Sequence, residues 1–138
     1  MATRQLRTTV ACSHTYGFQP WGGYGLRVAP WRTVRALARL VEQKESHAKT
    51  VKEEVRIIWG DYFKAPQFEQ VPNAHELVHN IMMQGSKCKQ NVQVEHGDAL
   101  LALVNDFAKA FWLTKGVETF EADCPYPPSR KVVYPKLG

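Results

Sequence analysis

Two histidines flank a glutamate within the run His75, Glu76, Leu77, Val78, His79. Side chains four residues apart share one face of a helix, so this HExxH pattern can put two imidazoles on a zinc ion while the intervening carboxylate activates the bound water. In that reading His75 and His79 are metal ligands, Glu76 is the general base, and Glu95 or His96, 16 or 17 residues after His79, offers a third ligand. The chemistry would be attack on a peptide bond by zinc-polarised water. The same residues support a second reading, which is the expectation adopted. Pro72 and Asn73 precede the motif, and Glu76 falls at the third helical position of a capping box begun by Asn73. The carboxylate then bonds back to the cap amide and the histidines face solvent or a partner, with no cofactor and no catalytic residue.

The string HELVHN, followed later by His96-Gly97, resembles the SprT-like and WLM metalloprotease families over residues 75–97. That resemblance implies zinc, with His96 completing an open three-ligand site. Those families carry the motif well inside a longer helix, whereas Pro72 places it here at a helix start. The three cysteines, Cys12, Cys88 and Cys124, are odd in number, far apart and without a CxxC pair, which argues for free thiols. Gly22 and Gly23 lie in a glycine-rich stretch that lacks the Lys-Ser/Thr needed to grip a nucleotide phosphate.

Several elements would position these groups. Leu6 to Cys12 reads as a strand, followed by a Gly- and aromatic-rich loop over 14–24. Pro30 suits the first turn of a helix running to about Glu45, with Val34, Leu37, Leu40 and Val41 on one face and Arg32, Arg35 and Arg39 on the other. Alternation at Val55, Ile57 and Trp59 predicts a strand over 53–59, and Phe68 to Val71 a second. A helix begins after Asn73 and stops at Gly85, and Gln90 to Glu95 alternates as a strand. Leu100, Leu103, Val104, Phe107 and Phe111 follow a helical rhythm over 98–114 that Gly116 ends, with a last strand over 117–122.

Charge is the most uneven property of the chain. Of 18 Lys and Arg residues, six lie in the first 41 positions, where Arg4, Arg7, Arg27, Arg32, Arg35 and Arg39 meet no acid; the other 12 bases share the rest with all 13 acids. Arginine-rich, acid-free openings are the composition of mitochondrial import segments. They also suit phosphate contact, so these six arginines are the expected surface for rRNA or an acidic protein neighbour. With 138 residues, 44% of them apolar, one domain with a real core is expected, and no run is long enough to span a membrane. That domain would cover 1–122. Prolines 125, 127 and 128 make 123–138 an extended tail that docks on other subunits through Tyr126, Arg130, Lys131 and Tyr134.

The order of strand, helix near Arg32-Thr33-Val34-Arg35, strand 53–59 and strand at Pro66-Gln67-Phe68 resembles a small thioredoxin-like family of mitochondrial ribosomal proteins and a complex I accessory subunit. The resemblance covers residues 6–71. It implies a non-catalytic packing role without redox cysteines. The expectation is therefore an α+β domain with a small mixed sheet on two or three helices, thioredoxin-like in arrangement. Its function would be that of a structural subunit in the mitochondrial matrix, part of a large assembly. The ribosome stands first, with a respiratory complex or ATP synthase second and a small zinc peptidase third.

Overall fold

A computed structural model of the chain describes residues 30–138. Three long helices, α1 (Pro30–Asp61), α3 (Ala74–Gln90) and α4 (Val94–Thr114), are joined by the six-residue α2 (Ala65–Gln70) and followed by an antiparallel hairpin, β1 (Thr119–Asp123) and β2 (Lys131–Pro135). Helix α3 packs against α1 on one side and α4 on the other, and β2 lies against α4. The molecule is mostly helical with a two-stranded sheet, within the α+β class. The expected first strand over 6–12, the loop over 14–24 and Arg4, Arg7 and Arg27 lie outside the described residues.

The core follows from two matching apolar seams. Ala48, Val51, Val55 and Ile58 of α1 and Val78, Ile81, Gly85 and Cys88 of α3 are buried, each set stepping three and four residues so that it stays on one face. Leu100, Leu101, Val104 and Phe107 of α4 close the third side. Gly85, expected as a helix stop, sits inside this seam because it lets Lys52 cross. A β-carbon there would lie 2.9 Å from both Cγ and Cδ of Lys52, whose Nζ donates to Ser86 Oγ at 3.0 Å. The helix ends instead at Asn91, and the Lys44 ammonium of α1 donates to the carbonyls of Lys89 and Asn91 at 2.7 and 2.8 Å. That places a cation on the negative end of the α3 dipole.

Three expected strands are absent from the sheet. Residues 53–59 continue α1, since Val51, Val55 and Ile58 are buried at steps of four and three while Ile57 is 54% exposed, a helical spacing where alternation was expected. Nothing between Pro30 and Gly60 breaks a helix, and Lys49 and Glu53 pair across one turn at 3.8 Å. Phe68 lies in α2, which starts after Lys64, with the Lys64 amide donating to Gln67 Oε1 at 3.0 Å. Val92 is 79% exposed on the link into α4, so 90–95 forms no strand. The end of α4 is as expected. Gly116 has φ +67°, its amide donates to the Leu113 carbonyl at 2.9 Å, and the Val117 amide reaches Trp112 at 3.0 Å, the paired bonds of a Schellman stop.

Residues 123–138 run through the hairpin turn and β2 and lie on their own chain, with the Ser129 amide donating to the Tyr126 carbonyl at 2.8 Å. Val132 and Val133 are buried, and Asn105 of α4 meets β2 with both ends of its amide, Nδ2 donating to the Lys131 carbonyl at 3.0 Å and Oδ1 accepting from the Val133 amide at 3.2 Å. The side chain thus satisfies backbone groups on a strand edge.

Candidate functional site

The HExxH residues occupy the first turn of α3, and all three are exposed. His75 is held from the side. Its ring stacks on Phe68 at 4.1 Å, and Nδ1 accepts from Trp59 Nε1 at 3.2 Å. Asn73 makes no side-chain cap bond, and the Asn73 carbonyl accepts from the Leu77 amide at 2.9 Å, so the expected capping box with Glu76 is replaced by a plain backbone start. His96 lies in the first turn of α4, beside the far end of α3. Its carbonyl accepts from Gln84 Nε2 at 3.0 Å and from Cys88 Sγ at 3.1 Å. A rise of about 1.5 Å per residue puts Gln84 roughly 14 Å along the helix from His75, whereas zinc holds each ligand at about 2 Å. His75, His79 and His96 therefore do not converge, and Glu76 has no metal-bound water to act on. Among the described residues no three His, Cys, Asp or Glu side chains gather for any metal ion.

The two described thiols are equally unsuited. Cys88 and Cys124 are free and buried, and burial pushes the Cys88 thiol above its ordinary value despite the opposing pull of Lys44. A thiol so placed resists the deprotonation that metal binding requires.

Of the expected anion-binding arginines, Arg32, Arg35 and Arg39 are exposed along the first turns of α1, with the Arg32 and Arg35 guanidinium carbons 5.2 and 5.8 Å from the Trp31 ring centre. In the C-terminal segment Arg130 grips Asp98 of α4 with two bonds of 3.0 and 3.1 Å, and Tyr134 stacks on Phe120 at 5.6 Å. Lys131 and Tyr126 are exposed.

Sequence reasoning passed over the corner where α1, α2 and α4 meet. Tyr62 and Phe63 close α1 there, and Tyr62 packs against Phe111 at 4.9 Å while Phe63 lies 5.8 Å from Phe107 and 5.7 Å from Phe68. Thr114 spends its only proton on the Phe111 carbonyl at 2.7 Å, so the Tyr62 hydroxyl is the donor in its 3.0 Å bond to Thr114 Oγ1. The Lys115 ammonium stands 4.6 Å from the Tyr62 ring centre and 5.2 Å from that of Phe111. Lys64, two residues past Tyr62, bonds the Gly60 carbonyl at 3.1 Å. One cation, Lys115, therefore stands on the aromatic corner, an arrangement that favours a small anion nearby. The readable signal was the run Asp61-Tyr62-Phe63-Lys64 between a helix and a proline.

Residues 28–115 match the family described as nickel-containing superoxide dismutase. The "Superoxide dismutase [Ni]" of Streptomyces coelicolor is 36% identical over 72 residues, 52% of this chain and 55% of that protein, and that of Streptomyces seoulensis is 35% identical over the same shares. The alignment thus spans about half the length of these curated relatives. The native nickel superoxide dismutase structure superposes with a TM-score of 0.62 and 26% identity, over 83% of this chain and 88% of that one.

These findings overturn the thioredoxin-like ribosomal resemblance and, with it, the structural subunit bound to rRNA or acidic neighbours in a large mitochondrial assembly. They equally replace the zinc peptidase: the matched proteins are enzymes named for nickel, where no cofactor or zinc was expected. The helical body, its hairpin-closed core and the match over most of α1, α3 and α4 show that the chain belongs to the nickel-containing superoxide dismutase family.

Proposed function

We propose that this protein serves superoxide dismutation, the conversion of two superoxide anions and two protons into dioxygen and hydrogen peroxide. The observation that carries the reading is the family match across residues 28–115, joined to the likeness to the native enzyme. The described residues contribute a scaffold and an electrostatic approach. Superoxide is a small anion, and the Lys115 ammonium beside the Tyr62 ring, with Lys64 two residues along the chain, supplies positive charge that raises its local concentration.

Residues 30–138 do not fit a nickel ion. Soft thiolate or imidazole donors must converge on such a metal, but Cys88 and Cys124 are buried, the Cys88 Sγ bonds a carbonyl, and no three candidate ligands group together. No chemical step is assigned to the metal within this body. Donors in this reading come from outside it, and the one cysteine and one histidine of the first 29 residues are Cys12 and His14.

The test strips metal from the full chain and restores nickel or zinc separately, following superoxide decay. Nickel should restore rapid decay and zinc should not. Equal decay with either metal, or with none, would remove the proposal.

A further inference from the structure

The first turns of α1 have two distinct faces and nothing described against either. Residues 31–39 are all exposed, with Trp31 at 54%, Val34 at 65% and Leu37 at 60%, values normally avoided for three large apolar side chains on one helix. At about 100° per residue, Val34, Leu37, Ala38 and Val41 form one arc and Arg32, Arg35 and Arg39 fall within about 60° of each other beyond Trp31. Trp31 lies at the boundary, its ring within 5.2 and 5.8 Å of the Arg32 and Arg35 guanidinium carbons.

The occupant must therefore offer an apolar layer and anionic charge side by side. A nucleic acid would satisfy the guanidinium groups and leave Val34 and Leu37 in water. Residues 1–29 carry Arg4, Arg7 and Arg27 without an acid, so their sequence offers no counter-charge to Arg32, Arg35 and Arg39. A second copy pairing through the same segment would offer none either, since residues 31–41 contain three arginines and no acid. An anionic bilayer surface meets both demands, with acyl chains under the apolar arc and phosphate at the arginines. Among the described residues no helix is long and apolar enough to cross a membrane, so such a helix would lie in the interface plane.

We infer that residues 31–41 of α1 dock this protein on anionic phospholipid membranes, Trp31, Val34 and Leu37 entering the interface and Arg32, Arg35 and Arg39 binding lipid phosphate.

Flotation of the full chain with vesicles of phosphatidylglycerol mixed with phosphatidylcholine, against phosphatidylcholine alone, tests this. Binding should require the anionic lipid. The R32E/R35E/R39E variant should bind at least about tenfold more weakly, from the contribution of each basic side chain near a charged surface. The V34S/L37S variant should also lose binding at low salt. Both change only exposed positions, and circular dichroism should show the helical content retained. Absence of vesicle binding would overturn the inference, as would binding that survives both variants. It would also fall if the mass in solution, by light scattering without lipid, dropped to a smaller species in V34S/L37S, which would assign the face to another copy of the chain.

Discussion

At the scale of single residues, the chemistry lies with side chains that no motif singles out. Lys115 stands over the Tyr62 ring and Lys64 bonds the Gly60 carbonyl; in the proposed dismutation their pull on superoxide is electrostatic, so it must fade as salt screens it over about 10 Å at 0.1 M. Replacing both with glutamine should lower the nickel-dependent superoxide rate by about tenfold at low ionic strength, with the gap closing at high salt and nickel content unchanged. Stopped-flow rates against salt concentration measure this. Asn105 gives a second prediction. It holds both a carbonyl and an amide of β2, so Asn105→Ala should cost about 2 kcal/mol in urea unfolding through loss of both partners. The sequence made His75, Glu76 and His79 conspicuous because metal-binding patterns depend on spacing alone. Convergence of a third ligand depends on tertiary contact, and His96 is instead held by Gln84 and Cys88.

Elements were legible where one periodicity stood without competition. Leu100, Val104, Phe107 and Gly116 marked α4 and its end because an apolar face and a left-handed glycine leave little choice. In α1, Val55, Ile57 and Trp59 fit a two-residue period as well as Val51, Val55 and Ile58 fit a helical one, and only packing against α3 decides between them. The helical register makes a direct prediction. Ile81→Ala, at a fully buried position of α3, should lose about 2–5 kcal/mol, while Ile57→Ala, on the solvent side of α1, should lose less than about 0.5 kcal/mol. Chemical denaturation of the two variants checks it. Gly85 was misread for a related reason: glycine commonly ends helices, but here its missing side chain makes room for Lys52.

Across the whole molecule, uneven charge was visible from the start, and its meaning was not. An acid-free opening with six arginines fits several anionic partners, and composition cannot distinguish a phosphate backbone from a lipid surface. The helical body likewise hides the family from motif reading, since residues 30–138 are united by packing rather than by a ligand signature. The central proposal is that this protein uses nickel while its described residues offer no cluster of donors to hold it. Nickel content and superoxide decay rate, measured together on the full chain and on a His75→Ala/His79→Ala variant, test it most directly. Decay should scale with bound nickel, and both quantities should be the same in the two proteins. A nickel-saturated chain without dismutation, or loss of nickel with those two imidazoles, would contradict it.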